Sequence, residues 1–347
     1  MVDLVTGGGG FLGRHIVRFL LQRGRRVRVL DIDPGALSAS GAELIKGSVT
    51  DPAAVAAAMS GVRRVFHTAG NPNLWARRKD AFREINFLGT KIVLAEAERQ
   101  RVDRFVFTST AAILFRKGGL FRKAGRNGSA VPLTLADMPG DYCRSKFLAE
   151  QEAFAAARAG MPVVIVSPTL PIGPGDRHLT PPTRMILDFV NKTTPAYVDF
   201  KLNMIHVHDV ALGHVRAAEV GTPGQRYVLA GDTQRLSDIL LLIQDITGVA
   251  MPRLRVPYGL AFAAAAVSEI VADYLTRESP KASLAGVRLA RRPTAFELGR
   301  PGSELGLALT PISQALTEAI TWLVERGHVR HPLPNLNLAF PPPPGRA

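Results

Sequence analysis

Thr6-Gly7-Gly8-Gly9-Gly10-Phe11-Leu12-Gly13 stands directly behind the mostly apolar residues 2–5 and directly ahead of the amphipathic residues 11–21. Glycines at 7, 10 and 13 keep a G-x-x-G-x-x-G spacing. In a strand–turn–helix context, that spacing lets the backbone turn tightly, approach a pyrophosphate and pack the new helix on the strand. The N–H groups at the helix start then face the anion. A Walker loop needs Lys and Ser or Thr after its last glycine, whereas Arg14 and His15 follow Gly13. The turn therefore reads as a dinucleotide site and not as a nucleoside-triphosphatase loop.

Working outward, Val27-Arg28-Val29-Leu30-Asp31 supplies an acid at the end of the next strand, where it can accept hydrogen bonds from adenosine ribose hydroxyls. A 2′-phosphate beside Asp31 would meet like charge. Ile32, Asp33 and Pro34 follow, with no Arg to neutralise it. NAD(H) is expected over NADP(H).

Strand and helix patterns alternate through residue 167, which predicts an α/β fold with a Rossmann-type, doubly wound parallel sheet. Strands are expected near 2–6, 27–31, 42–46, 63–68, 104–109 and 162–167, with helices near 11–23, 52–60, 80–100 and 141–159. Prolines at 168, 171, 174, 181, 182 and 195 then break the rhythm. The cofactor domain is placed at 1–170 and is completed by about 204–230. A smaller, mostly helical substrate lobe takes 171–203 and 231–330, with helices near 182–191, 209–220, 236–247, 258–275 and 310–326. The tail 331–347, with Pro341 to Pro344, is too proline-rich to pack and reads as extended or disordered.

The 347 residues, 46% hydrophobic, hold a large α/β layer plus a smaller lobe. One cysteine, Cys143, excludes an intramolecular disulfide framework and fits a reducing compartment. No secretory leader is expected, because residues 2–5 read as a strand. The expected location is cytoplasmic, with peripheral contact at the inner face of a membrane left open. The apolar residues 256–267 fall short of the roughly 20 residues needed to span a bilayer, and Ala261 to Val267 read as a packed helix. A net charge of +14 raises nucleic acid and anionic membrane as partners. Its Arg and Lys are scattered in pairs rather than interleaved with stacking aromatics, which argues against nucleic acid. Arg116, Lys117, Arg122, Lys123 and Arg126, with Phe115 and Phe121 among them, form one basic loop. It reads either as a solvated loop or as a contact with anionic lipid or an acidic substrate group.

Chemistry enters at Tyr142-Cys143-Arg144-Ser145-Lys146, at the start of the helix after the fifth strand. Residues i and i+4 share a helix face, so an ammonium beside the phenol could favour the phenolate and make an acid/base unit of Tyr142 and Lys146. His206-x-His208 with Asp209 could supply metal ligands on one strand face, but no second cluster accompanies it and no metal is expected.

Taken in order, these features resemble the extended short-chain dehydrogenase/reductase superfamily over nearly the whole chain. Val65-Phe66-His67-Thr68-Ala69 resembles its fourth-strand motif, Asn86-Phe87-Leu88-Gly89-Thr90 its helix motif, and Phe107-Thr108-Ser109-Thr110 its fifth-strand hydroxyl motif. Residues 168–176 resemble the loop that covers the nicotinamide, and 206–211 a later marker segment. More narrowly, the stretch from Tyr142 to Asp199 looks like the hopanoid-associated sugar epimerases, which are similar to dihydroflavonol 4-reductases.

The resemblance implies Tyr142 as general acid/base, with Lys146 depressing its pKa and holding the nicotinamide ribose. Thr110 stands where the family usually has the substrate-binding Ser, and its hydroxyl can make the same bond; Ser109 is the weaker substitute. Ser48 stands where the family usually has Asp near the adenine amino group, which reads as a tolerant rim position. The implied cofactor contacts are Gly7, Gly10, Phe11, Leu12, Gly13, Asp31, Ser48, Val49, Ala69, Ser109, Lys146 and Pro168. A homodimer through helices near 80–100 and 141–159 is a further implication. The chemistry expected is reversible hydride transfer at a secondary alcohol or ketone of a hydrophobic, lipid-, terpenoid- or sterol-like substrate, because residues 235–275 are rich in Leu, Ile, Ala and Val. An epimerase acting on nucleotide sugars, and a non-catalytic NAD-binding regulatory protein, are the alternatives.

Overall fold

The computed structural model describes residues 1–114, 133–280, 282–291 and 305–336. The basic loop 116–126 and the proline run at 341–344 lie outside the described residues. The chain opens with β1 (Val2–Thr6), α1 (Phe11–Gln22), β2 (Arg26–Asp31), β3 (Glu43–Lys46), α2 (Pro52–Met59) and β4 (Val62–His67). It continues with α3 (Asp80–Phe82), a π-helical turn over Arg83–Leu88, α4 (Gly89–Arg99), β5 (Arg104–Thr108), α5 (Asp141–Arg158) and β6 (Val163–Pro168). Then come β7 (Leu170–Ile172), α6 (Pro181–Val190), β8 (Ala196–Tyr197), β9 (Lys201–His206), α7 (Val207–Val220) and β10 (Arg226–Leu229). β11 (Thr233–Arg235), α8 (Leu236–Thr247), β12 (Leu254–Arg255), α9 (Tyr258–Val271), α10 (Leu284–Ala290) and α11 (Ile312–Glu325) close it.

Seven strands pair in the order β10-β6-β5-β4-β1-β2-β3, every pair parallel. The order reverses between β1 and β4, the topological switch point at which such sheets bind ligands. Runs such as Val163-Val164-Ile165-Val166 are buried throughout, because helices cover both faces. One apolar layer joins α1 and α7 to the sheet through Ile16, Val17, Leu20, Val210 and Val215. On the other face, α2, α4 and α5 contribute Val55, Val93 and Ala149.

The C-terminal lobe has its own core of Ile186, Phe189, Leu240, Ile243, Leu316 and Leu323 from α6, α8 and α11. It also carries five short strands among the described residues, which helical periodicity had passed over. They form a three-stranded sheet, β11-β9-β7, and a two-stranded one, β12-β8. Two expectations need correction here. His206 and His208 do not share a strand face: His206 ends β9 and caps α7, with its Nδ1 accepting from the N–H of His208. Nor is the helix expected near 258–275 packed along Ala261 to Val267, though its extent is close to that expected. It runs without a break as α9 and a π-helical turn over Tyr258–Thr276, 19 residues, with most of its large apolar side chains in solvent.

Three imidazoles are held neutral in the fold. Burial pushes His67 down to about 3, and His214 and His15 each to about 4. Between these values and the ordinary 6.5, the unfolded chain binds protons that the folded chain refuses, so stability is full above pH ~6.5 and falls with acidification. Each group is expected to cost about 2 kcal/mol at pH 5. Thermal melts should therefore show Tm dropping steeply between pH 7 and 5 and a shallower drop for His67→Gln; a flat profile would refute the neutral burial of these rings.

Candidate active site

Six strand ends of the large sheet line its C-terminal edge on both sides of the switch point, and each leads into one or more of the expected residues. β1 leads into the glycine turn, in which the N–H of Gly7 donates to Leu30 O (2.8 Å) and that of Gly10 to Gly7 O (3.1 Å). Gly7 has φ +71°, and a Cβ there would stand 2.7 Å from the backbone of Ala69. A Cβ on Gly13 would stand 2.1 Å from Gly7 O. Both positions exclude any side chain, which is the cradle a pyrophosphate requires. Gly10 is the N-cap of α1, with no side-chain cap and no acid in the first turn, so the N–H groups around Phe11, Leu12 and Gly13 face outward for an anion.

At the end of β2, Asp31 accepts from the N–H of Gly9 (2.9 Å) and of Asp33 (2.9 Å), which aims its carboxylate at the mouth of the turn. Ser48 follows β3 and bonds Thr50 (2.8 Å), while Val49 is buried against Gly89. Ala69 follows β4, and Pro168 ends β6 against Leu229 of β10. The residues present thus fit a dinucleotide laid from β3 across the switch point to β6.

The acid/base unit is built from β5 and α5. Tyr142 and Lys146 lie one turn apart, Tyr142 partly buried against the apolar cluster of Ala111, Ile113, Leu114 and Met138. Burial pushes the Tyr142 phenol up to about 12, and its hydrogen bond with Thr110 offsets only part of that. Where Lys146 was expected to set the phenol, burial is the dominant influence on Tyr142, and the Lys146 Nζ donates to Thr108 O at 2.6 Å. Burial in turn lowers Lys146 to about 8, opposed by Glu150. Thr110 is buried beside them, its Oγ1 accepting from the N–H of Ala112 (3.2 Å).

A supporting network escaped sequence reading. Ser109 donates to Glu150 at 2.6 Å, so its hydroxyl is engaged and Thr110 is the one that meets Tyr142. Glu150 lies one turn beyond Lys146 on α5 and also binds Arg226 from β10. Thr108 Oγ1 bonds His214 Nε2 (2.9 Å), while His214 Nδ1 reaches Val210 O (2.8 Å). The second contact requires a proton on Nδ1, so Nε2 accepts from Thr108. Asn86, on the π-helical turn, donates to Ser145 (3.0 Å) and accepts from the N–H of Asn71 (2.7 Å), tying α5 to the loop after β4. Such turns recur at functional sites. Arg14 and His15 of α1 hold Gly175 O and Pro174 O, each at 3.0 Å, and so pin the loop 168–176 over the turn.

A sequence model of the NAD dependent epimerase/dehydratase family matches residues 4–230. The chain is 36% identical over 333 residues to a putative dihydroflavonol 4-reductase of Synechocystis sp., covering 94% of this chain and 95% of that protein. It is 29% identical to sterol demethylase protein B of Methylococcus capsulatus, covering 95% of this chain and 100% of the other. Among solved structures it is similar to the crystal structure of gox2253, with TM-score 0.80 and 32% identity, covering 95% and 99% of the two chains.

Proposed function

The chain belongs to the NAD dependent epimerase/dehydratase family, an enzyme of the extended short-chain dehydrogenase/reductase type, and from that premise we propose that it reduces a ketone, or oxidises the matching secondary alcohol, on a hydrophobic substrate. The observation that carries the substrate class is the apolar surround of Tyr142: Ala112, Leu133, Phe147 and Leu289 pack with it on the cluster of Ile113, Leu114 and Met138. A polar sugar would leave its hydroxyls unpaired against such a wall. Two relatives whose names refer to a dihydroflavonol and a sterol, both fused-ring molecules without a nucleotide, support the same reading.

When bound, the nicotinamide supplies or takes the hydride. Tyr142 gives its proton to the developing alkoxide, and Thr110 steadies that oxygen by a hydrogen bond. With its pKa near 12, the phenol holds its proton through the neutral range and is poised as an acid. Lys146, fixed by Thr108 O, keeps a charge beneath the site at neutral pH and lies in place to hold the nicotinamide ribose. Asp31 sets the choice of NAD(H), since a 2′-phosphate would crowd a carboxylate already aimed at Gly9.

Titration of the purified protein with NADH and NADPH, followed by native mass spectrometry for co-purifying molecules, tests both parts. NADH is expected to bind about 100-fold tighter, and Asp31→Asn, which keeps the shape and removes the charge, to narrow that gap about tenfold. A co-purifying lipid supports the hydrophobic substrate; a bound nucleotide sugar with retained NAD would overturn it in favour of an epimerase.

A further inference from the structure

α9 and its π-helical extension invert the usual pattern of a surface helix. Leu260, Ala263, Ala264, Val267, Ile270, Val271 and Tyr274 recur at i, i+3/i+4 and i+7, so they form one stripe, and every one of them is exposed. Val267 is 61% exposed, Ile270 56% and Tyr274 81%. A run of this length left in water is a liability unless something covers it.

Its opposite face is fastened to the protein. Asp273 accepts from Trp75 Nε1 (2.7 Å) and pairs with Lys79 (2.9 Å). Glu269 accepts from the N–H of Leu284 (2.8 Å), and the guanidinium groups of Arg288 and Arg291 lie over the rings of Phe262 and Tyr258. Both acids of the helix are therefore paired with groups of the protein on the face away from the stripe, and the stripe itself carries no charge. Three exposed arginines flank it, Arg253 and Arg255 before it and Arg277 after it, against one exposed acid, Glu278.

We propose that α9 is a monotopic docking helix that lies flat in an anionic phospholipid membrane. A stripe of apolar side chains without acids, bracketed by arginines on a chain of net charge +14, matches a surface that is apolar below and anionic at its headgroups. Tyr274, aromatic with a polar tip, suits the headgroup level. The 19 residues would reach across a hydrocarbon core by length alone. The ion pairs of Glu269 and Asp273 hold the helix along the protein instead, since spanning would strip both acids of Lys79 and leave them in lipid. α10, on which α9 packs, reaches the cluster around Tyr142 through Leu289, so docking would set the active site two helices from the membrane surface. This goes beyond the proposed reaction and stands whatever the substrate is.

The test is co-sedimentation of the full chain with vesicles of phosphatidylcholine, with and without a large share of phosphatidylglycerol. The wild-type protein is expected to bind the anionic vesicles at least about tenfold more tightly than the neutral ones. Val267→Glu with Ile270→Glu, both exposed, should weaken anionic binding by about 100-fold while NADH affinity and oligomeric state stay unchanged. Arg253→Gln with Arg277→Gln should erase most of the preference for phosphatidylglycerol. Wild-type protein remaining in the supernatant with anionic vesicles overturns the proposal, as does an undiminished glutamate variant. A glutamate variant that becomes monomeric from a wild-type dimer, with no vesicle binding by either, overturns it in favour of a second copy covering the stripe. NADH titration on the same samples reads cofactor binding separately, so failure of docking is distinguishable from failure of the enzyme reading.

Discussion

Tyr142→Phe is expected to lower turnover by about 10²–10⁴-fold, ~3–5 kcal/mol in the barrier, while NADH affinity stays within about twofold. The substitution removes one oxygen and leaves the ring in its place against Ala112, Phe147 and Leu289. Thr110 loses a hydrogen-bond partner but keeps the N–H of Ala112, and Lys146 keeps Thr108 O. What disappears is the proton donor for the alkoxide. The glycine turn and Asp31 are untouched. Single-turnover measurement with bound NADH separates the steps: unchanged hydride transfer in the variant would remove Tyr142 from the chemistry, and a parallel loss of NADH binding would make its role structural.

Gly13→Ala is expected to weaken NADH binding by about 100-fold, ~3 kcal/mol, and to lower Tm as well. The new methyl would stand 2.1 Å from Gly7 O and 2.8 Å from Gly8 Cα, backbone atoms with no rotamer to yield. Either α1 shifts off β1 or the turn opens, and both outcomes move the N–H groups that face the pyrophosphate. Isothermal titration with NADH and a thermal melt of the apo protein report the two effects independently. Wild-type affinity in this variant would mean that the cofactor is held elsewhere.

The glycine turn, Asp31 and the pair Tyr142/Lys146 were legible because each depends on short-range spacing: a turn between a strand and a helix, a strand end, one helical turn. The parallel sheet was legible for the same reason, as alternating periods along 1–167. β7, by contrast, reads Leu170-Pro171-Ile172, and a strand of three residues centred on proline has neither period nor propensity to announce it. The Glu150–Arg226 pair joins residues 76 apart, and Thr108 meets His214 across 106, separations that no local pattern encodes. At α9 the extent was legible, near 258–275, but the exposure was not. An apolar helix has the same composition whether it is wrapped by protein or left bare, and only the placement of Lys79 and Trp75 fixed which face turned out. The phenol was misread because proximity in sequence ranked the lysine above the apolar wall, and burial proved the larger effect on Tyr142.

The interlacing of the two lobes also bears on how the chain matures as it is made. β1 to β5 complete the strand pairing of the nucleotide half of the sheet within the first 108 residues, β4 returning to pair with β1. The half that does the chemistry closes only when β10 returns to pair with β6, bringing Arg226 onto Glu150 after β7, α6, β9 and α7 have been synthesised. A nascent chain emerging in order from the ribosome therefore acquires the adenosine side of its site long before the proton-transfer side.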